Sequence, residues 1–236
     1  MNVIYEDNHI IAVNKQSGEI VQGDKTGDVP LSDILKAYLK EKYNKPGNVY
    51  LGVVHRLDRP VTGVVLFAKT SKALPRLNKL FAEHEKVKKT YWAIVKKEEL
   101  TNSQLSTLNY QLSQWHTLTH WLTRNEKNNT ARAYDREVPN SKKAVLRYRF
   151  IGHSDRYSLM EVELMTGRHH QIRCQLAKIG YPIKGDLKYG APRSNPDGSI
   201  CLHARKLELE HPVTHEPLII TAPVPQDTLW KAFCQD

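Results

Sequence analysis

The sequence is poor in cysteine and contains no long apolar run. Its three cysteines, Cys174, Cys201 and Cys234, include no C-x-x-C pair, which argues against a disulfide framework and fits a reducing cytoplasm. No apolar stretch approaches the length that spans a membrane, and the charged N-terminal residues do not form a signal peptide. We therefore expect a soluble protein of the cytoplasm.

Sequence motifs of nucleotide cofactors and catalytic metals are also missing. The chain has no G-x-G-x-x-G after a predicted strand, no P-loop, no H-E-x-x-H and no G-x-S-x-G. His169 and His170 are adjacent, so on a predicted helix they point in different directions and do not form a metal-binding pair. Because no third and fourth ligand stand at a recognisable spacing, we predict neither a metal nor an organic cofactor.

Positive charge is what the chain has in excess. The 35 Lys and Arg against 25 Asp and Glu give a formal net charge of +10 over 236 residues. A basic surface of this size attracts polyanions, and nucleic acid is the commonest of these. Composition alone therefore favours a nucleic-acid partner.

Apolar spacing predicts a mixed fold. One helix is expected from Leu31 with Ile34 on its buried face, a second over about 71–86 with Ser71 as its N-cap, and a third that ends at Gly180. Strands are predicted at 3–5, 10–15, 49–54, 64–69, 88–97, 158–167, 200–209 and 217–223, with basic ribbons and loops from 98 to about 150. These elements indicate a single α+β domain over 1–236, with a largely antiparallel or mixed central sheet flanked by helices and loops.

The stretch "HRLDRPVTG" at 55–63 forms a sharp connection between two predicted core strands. Asp58 stands between Arg56 and Arg59, and nearby positive charge favours an ionised carboxylate. A structural ion pair at a turn explains the pattern as well as a reaction centre does, because ion-pair networks also perturb carboxylates. Both interpretations stay open on these residues alone.

Two further stretches are candidates for chemistry. Tyr91 shares a strand face with Ala93 and Val95, so it is either a core aromatic or a ring that packs on a nucleobase or moves a proton. In "TGRHHQIRCQ" at 166–175, a Thr-Gly turn opens a predicted helix whose first residue is Arg168. A helix N-terminus with added arginine favours phosphate or carboxylate groups.

Taken together, these stretches resemble the RluA-type pseudouridine synthases. "HRLDRPVTGVVLFAKT" at 55–70 is similar to the family's H-R-L-D-x-x-T-S/T-G signature, and "KKTYWAIV" is similar to its K-x-Y-x-A-x-V strand. "MTGRHHQIRCQLAKIGYPIKGDLKYG" resembles its T-G-R-x-H-Q-I-R block and the G-D-x-x-Y-G that follows. "VIYEDNHIIAVNKQSG" and "CLHARKLELEHPVTHEPL" match the opening and closing stretches, so the resemblance covers nearly the whole chain in order.

The resemblance implies an enzyme that isomerises uridine in structured RNA without a metal or cofactor. Uracil is detached at the N1–C1′ bond and rejoined through C5. Asp58 becomes the catalytic aspartate, acting either on C1′ as a nucleophile or on the C2′ proton as a base. Arg173 becomes its charged partner, and Tyr91 the aromatic that packs on the uracil. Ribosomal RNA is slightly favoured over tRNA, and we expect a monomer.

The RNA itself is expected to be held by polar and basic side chains of the catalytic core. These are Arg56, Arg59, Arg168, His170, Gln171, Lys127 and Arg132. Many relatives add an N-terminal S4 RNA-binding domain, which we do not expect here. Met165 and Gln175 depart from the family's L-E-T-G and I-R-V-H patterns, so local RNA contacts are expected to differ.

Two other functions stay open. A non-catalytic RNA-binding or ribosome-assembly protein that kept the fold is one, although the intact Asp58, Tyr91 and Arg173 argue against it. The other is an RNA hydrolase that pairs Asp58 with His169 or His170 and produces strand breaks or abasic sites. The sequence offers no cluster of metal-binding carboxylates in its support.

Overall fold

Residues 2–96 and 114–233 are described by a computed structural model, and they fall into two compact units. The first unit comprises Met1–Lys88 and Ala204–Pro223, and the second comprises Lys89–His203 and Val224–Asp236. The predicted loops at 98–113 and Cys234 lie outside the described residues. That residues 1–236 form a single domain stays a prediction.

Strands dominate the described part of the chain. They are β1 (Val3–Glu6), β2 (Ile10–Lys15), β3 (Gly52–Val53), β4 (Thr62–Ala68), β5 (Val87–Lys96), β6 (His116–Asn125), β7 (Thr130–Tyr134), β8 (Lys142–His153), β9 (Tyr157–Leu164), β10 (Leu202–Glu210) and β11 (Pro217–Thr221). The α-helices are α1 (Leu31–Lys42), α2 (Ala73–Ala82), α3 (Gln171–Lys178) and α4 (Thr228–Phe233). The predicted α+β fold class is confirmed.

In the first unit the strands follow the order β1–β2–β4–β10–β11, with β3 also paired to β4. The central strands β2 and β4 are antiparallel, with Val13 opposite Val65, and every residue of both is buried. Residues that alternate along these strands enter two different core clusters, one with α1 and one with α2. A strand covered on both faces has a nearly continuous apolar sequence, as "IIAVNK" and "TGVVLFA" show.

The two helices of this unit differ in detail from their predictions. In α1, Leu31, Leu35 and Leu39 form the buried line, whereas Ile34 is 37% exposed because it lies beside that narrow stripe. The second helix is shorter than predicted, and residues 84–86 form a separate 3-10 turn. Ser71 is not its cap, since the backbone N–H of Ala73 donates to Thr70 Oγ1 at 3.1 Å. The strand predicted at 49–54 is reduced to β3.

In the second unit the strands follow the order β5–β9–β8–β6–β7, and each neighbouring pair is antiparallel. Helix α3 packs Cys174 against small and branched residues of β6, β7 and β8. It begins at Gln171 instead of the predicted Arg168, because His170 has a left-handed backbone with φ of +51°. Gly180 ends it as predicted, with Tyr181 N–H bonded to the carbonyl of Leu176 at 2.9 Å.

None of the helices among residues 2–96 and 114–233 is both long and apolar enough to cross a membrane.

Candidate active site

Asp58 lies in a tight turn of the first unit, between β3 and β4. Its carbonyl oxygen accepts a hydrogen bond from the N–H of Val61 at 3.0 Å, which closes the turn, and the residue is half-buried. Gly63, the second residue of β4, has a φ of +116°, and a Cβ there would clash with the carbonyl oxygen of Ala204. Only glycine fits this position, so the backbone path after Asp58 is fixed.

A buried lysine holds the same turn from within. Lys15 ends β2 and is 0% exposed. Its Nζ donates to the carbonyl oxygens of Gln16 at 3.0 Å, Arg59 at 2.9 Å and Val61 at 2.7 Å. An ammonium has three N–H donors, and here each has a backbone acceptor. Two of these acceptors lie in the turn that follows Asp58, so Lys15 ties that turn to the sheet.

The electrostatics of Lys15 also involve Asp58. Burial lowers the pKa of Lys15 to about 8, while the negative charges of Glu19 and Asp58 act in the opposite direction. Arg59, by contrast, places Nη1 2.6 Å from Asp28 Oδ2 in a half-exposed ion pair. Such an exposed pair contributes little to stability. Arg59 was predicted to act as a positive charge beside Asp58, but its guanidinium also pairs with Asp28.

His55 anchors the beginning of the turn. Its Nε2 accepts a hydrogen bond from the N–H of Leu66 at 3.0 Å, and its ring stacks on Phe81 at 4.9 Å. A ring nitrogen that accepts from a backbone N–H carries no proton, so the proton of neutral His55 is on Nδ1. The histidine of the signature stretch is thus placed as a structural group.

Tyr91 lies on β5 in the second unit, opposite Val162 of β9. Ala93 and Val95 on the same strand face are fully buried, whereas Tyr91 is only half-buried. The apolar face of β5 therefore reaches the surface at this tyrosine. A half-buried ring keeps part of its surface accessible, whereas a fully buried core aromatic does not.

Arg173, on α3, is held by a carboxylate that the sequence interpretation did not name. Its Nε donates to Asp186 Oδ2 at 2.7 Å and its Nη2 to Asp186 Oδ1 at 2.8 Å. Arg173 is 4% exposed and Asp186 2% exposed. This is a bidentate, charge-assisted pair, which fixes direction as well as supplying energy. The pairing of Arg173 with Asp58 stays a prediction.

Two rings lie next to Arg173. Its Nη1 lies 3.0 Å from His170 Nε2, and the guanidinium carbon lies 5.1 Å from the centre of the Tyr189 ring. The hydroxyl of Tyr189 lies 2.8 Å from His170 Nδ1 and accepts from the N–H of Ala131 at 2.7 Å. Burial raises the pKa of Tyr189 to about 12, so this phenol stays protonated at neutral pH.

Residues 9–178 match the family model described as RNA pseudouridylate synthase. This range contains Asp58, Tyr91 and Arg173. The chain belongs to the RNA pseudouridylate synthase family. The predicted family and the prediction of an enzyme class are therefore confirmed.

Individual members of the synthase family match this chain over most or all of its length. The chain is 31% identical to tRNA pseudouridine synthase C of Salmonella typhimurium, over all of its own length and 89% of that protein. It spans 58% of the Pectobacterium carotovorum protein of the same name, again at 31% identity. It is also 31% identical to ribosomal large subunit pseudouridine synthase C of Vibrio vulnificus, over 94% of this chain and 65% of that protein.

The fold agrees with a solved structure of the synthase family. Human RNA Pseudouridylate Synthase Domain Containing 4 superimposes with a TM-score of 0.74 at 22% identity, over 95% of this chain and 89% of that one. At this identity the likeness concerns the fold alone.

The predicted RNA-binding residues of the synthase core differ in accessibility. Arg56, Arg59, Lys127 and Arg132 are exposed, and Arg168 is half-buried with its Nε donating to the carbonyl of Lys143 at 3.1 Å. An exposed cation is available to a phosphate, so these five stay candidates.

His170 and Gln171 are buried, at 7% and 3% exposure. Gln171 Oε1 accepts from Thr166 Oγ1 at 2.8 Å and from Arg168 N–H at 2.9 Å, and its Nε2 donates to Val145 at 3.1 Å. These contacts favour a structural role over the predicted contact with RNA. The rings of His169 and His170 also lie 3.8 Å apart, because His170 is not helical as the prediction assumed.

The two residues that depart from the family patterns, Met165 and Gln175, also differ in accessibility. Met165 is 40% exposed, whereas Gln175 is 0% exposed and donates to His120 Nδ1 at 2.9 Å and to Ala144 at 3.3 Å. Of the two, Met165 alone is accessible to RNA. The described ranges contain no group of three or more His, Cys, Asp or Glu arranged to hold a metal ion; the absence of a cofactor stays a prediction.

Sequence reasoning missed two residues with evident roles. Lys15 follows a run of buried strand residues, and a lysine inside an apolar run is a signal for a buried, satisfied ammonium. Asp186 belongs to the quoted "GDLKYG", but no spacing rule connects it with Arg173, 13 residues earlier. Lys15 therefore had a local signal in the sequence, whereas the pairing of Asp186 with Arg173 is recognised from tertiary contacts.

Proposed function

We propose that this chain converts uridine to pseudouridine in structured RNA, with Asp58 as its catalytic residue. The observation that carries the proposal is the family match across residues 9–178, within which Asp58 stands in a turn held by two hydrogen bonds of Lys15. A reacting carboxylate needs a rigid support, because small errors in its position reduce the rate steeply.

The reaction breaks the N1–C1′ bond, turns the uracil and forms a C5–C1′ bond. N1 gains a proton and C5 loses one, so the product is an isomer of the substrate. Asp58 acts as an ionised carboxylate, either by attack on C1′ or by removal of the C2′ proton. The target nucleotide has to leave its stack, which costs a few kcal/mol. Tyr91 is proposed to pack on the extruded uracil, since its ring is only half-buried while Ala93 and Val95 on the same strand face are fully buried.

Binding of the RNA backbone is assigned to the exposed cations Arg56, Arg59, Lys127 and Arg132 together with Arg168. Neutralised phosphates release counterions, so the affinity is expected to fall as salt rises. We expect a monomer that works in the cytoplasm without metal or cofactor. The sequence slightly favours ribosomal RNA, while the relatives' names include both tRNA and large-subunit synthases. The experiment therefore has to include both ribosomal RNA and tRNA.

The test is tritium release from RNA labelled at uracil C5, prepared from cells that lack this gene. Wild-type protein is compared with Asp58→Asn and with the control Asp28→Asn, which removes an exposed carboxylate paired with Arg59. We expect release by wild type and Asp28→Asn and none by Asp58→Asn, with RNA binding retained by all three. Separate ribosomal RNA and tRNA fractions then identify the substrate.

Failure of the wild-type protein to release tritium, beside a control synthase active on its own RNA, would reject the proposal in favour of a non-catalytic RNA-binding protein. Release by Asp58→Asn at the wild-type rate would reject Asp58 as the catalytic residue while keeping the reaction. Strand breaks or abasic sites instead of tritium release would indicate the hydrolase.

A further inference from the structure

The guanidinium of Arg173 is oriented by partners that are themselves fixed. An arginine has five N–H donors. Asp186 takes the Nε donor and one Nη2 donor, and His170 Nε2 takes one Nη1 donor. With Nε and Nη2 held by Asp186 and Nη1 held by His170, the plane and the direction of the guanidinium are fixed. The edge that Arg173 presents is thus set by its neighbours.

We propose that Asp186 and His170 are positioning residues of the isomerisation, acting through Arg173. The inference rests on the proposed function, with Arg173 as the catalytic group that the family resemblance implies, and it assigns two residues beyond Asp58, Tyr91 and Arg173. Neither residue is exposed enough to receive RNA, at 2% and 7%. Their effect on turnover is therefore indirect.

The chemistry of His170 supports this assignment. An arginine N–H can only donate, so His170 Nε2 accepts and the ring proton of the neutral tautomer is on Nδ1. That proton points to the Tyr189 oxygen, 2.8 Å away, and the same oxygen accepts from the backbone N–H of Ala131. A chain of hydrogen bonds therefore runs from Arg173 to the backbone of β7.

Backbone geometry places His170 in this chain. Its φ of +51° precedes α3 and turns the imidazole back toward Arg173, three residues later. A left-handed backbone is uncommon outside glycine, and Asn, Asp and His adopt it more readily than other residues. A histidine is held there by the two hydrogen bonds of its ring and by the Tyr189 ring, 5.6 Å away.

A purely structural role for the Arg173–Asp186 pair is the competing explanation. Buried ion pairs are often replaceable without loss of stability, so burial alone does not indicate their purpose. The two explanations predict different turnover when Arg173 has already been replaced. If Asp186 acts through Arg173, its replacement has no further effect on turnover in that background.

The experiment measures single-turnover tritium release, RNA affinity and thermal unfolding for Asp186→Asn and His170→Asn. Asparagine keeps the shape at 186 but removes the charge, and it tolerates the left-handed backbone at 170. Asp135→Asn is the control, because Asp135 forms a surface ion pair with Lys178, which lies on α3 like Arg173. We expect turnover about 100-fold lower in Asp186→Asn, the size of an ångström-scale misplacement, with RNA affinity within about twofold of wild type.

A double variant then separates positioning from stability. Arg173→Ala with Asp186→Asn is expected to turn over at the rate of Arg173→Ala alone, although removal of the orphaned carboxylate restores part of the lost stability. Hydrogen exchange of the Arg173 Nε–H, followed by NMR, is expected to be slow in wild type and fast in Asp186→Asn. This readout does not depend on activity.

Undiminished turnover in folded Asp186→Asn and His170→Asn, beside an active wild type, would overturn the inference and leave the synthase proposal standing. A further loss in the double variant beyond Arg173→Ala would overturn it as well. If Asp186→Asn does not fold, His170→Asn decides, with a loss of turnover at unchanged RNA affinity expected. An inactive wild type with a protected Arg173 Nε–H would reject the synthase proposal instead, and with it any role of Asp186 and His170 in turnover.

Discussion

The ammonium nitrogen of Lys15 lies 2.9 Å from the carbonyl oxygen of Arg59, the residue that follows Asp58. Forty-four positions separate the two residues in the sequence, and the contact joins the end of β2 to the turn before β4. Because Lys15 is fully buried, its hydrogen bonds do not compete with water. The position of Asp58 thus depends on a residue far away in the chain.

Replacement of Lys15 by Met is expected to lower both stability and turnover. The change leaves three backbone carbonyls without their donor, and a buried acceptor left unsatisfied costs about 1–3 kcal/mol. We expect the free energy of unfolding to fall by at least about 2 kcal/mol, measured by urea denaturation. Tritium release should fall more than RNA binding, since the turn at Asp58 loses its support.

The matched control for this change is Lys36→Met. Lys36 is an exposed lysine of α1 paired with Asp33, so its replacement should alter stability by no more than about 0.5 kcal/mol. Equal effects of the two substitutions would contradict the role assigned to Lys15.

The pH dependence of Lys15 gives a second prediction. Its pKa is about 8 in the folded protein, below its ordinary value of 10.5, because burial disfavours the charge. Between these values the unfolded chain binds more protons, so the contribution of Lys15 to stability rises with pH. A neutral amine has two N–H donors for three carbonyls, however, so the turn at Asp58 loosens. Turnover is therefore expected to decline above pH 8 without a loss of stability from this group.

An NMR titration of the Lys15 Cε resonance checks this directly, with tritium release measured at the same pH values. A midpoint near 8 that coincides with the decline in turnover is the expected result. Titration at the ordinary value for lysine, or turnover that stays constant to pH 9, would argue against it.

Helices and strands that depend on local apolar spacing were predicted from the sequence. The spacing of Leu31, Leu35 and Leu39 is enough for α1, and the apolar runs of β2 and β4 are enough for two core strands. The short strand β3 was overestimated, because "VYLGVV" has strand propensity but only Gly52 and Val53 find partners on β4. Pairing partners are a tertiary property, which propensity does not contain.

The candidate site shows the same division. Asp58, Tyr91 and Arg173 were named from the resemblance of their motifs to the family, whereas Lys15 and Asp186 were identified by their contacts. A buried lysine and a surface lysine are the same letter in a sequence. Their difference lies in which carbonyls arrive around the ammonium after folding, and no local rule supplies that information.

Glu6 is expected to determine part of the acid stability of the first unit. Its side chain is 8% exposed and accepts hydrogen bonds from four donors. They are Tyr38 at 3.2 Å, Lys42 at 2.7 Å, Tyr43 at 2.7 Å and Lys69 at 2.7 Å. Burial acts to raise the pKa of Glu6, but the bonds from Lys42, Lys69 and Tyr43 outweigh it and lower the pKa to about 2.

Because the folded pKa lies below the ordinary value of 4.5, the stabilisation by Glu6 is complete above pH 4.5 and disappears as the pH falls toward 2. Glu6→Gln should lower the free energy of unfolding at pH 7 by roughly 2–3 kcal/mol and reduce its dependence on pH over that range. Denaturation at pH 7 and at pH 3 measures both effects. Asp33→Asn, at an exposed pair, is the control, and an equal loss there would refute the assignment.

Arg132 is expected to bind RNA through phosphate and without sequence preference. It is exposed on β7, and its guanidinium carbon lies 5.2 Å from the centre of the Tyr134 ring, which holds the charge at the surface. Arg132→Ala should weaken binding to all RNAs alike and reduce the slope of log affinity against log salt by about one. Lys86→Ala removes an exposed cation that is already paired with Glu83, so it should leave the slope unchanged. A change in sequence preference without a change in slope would instead indicate that Arg132 contacts a base.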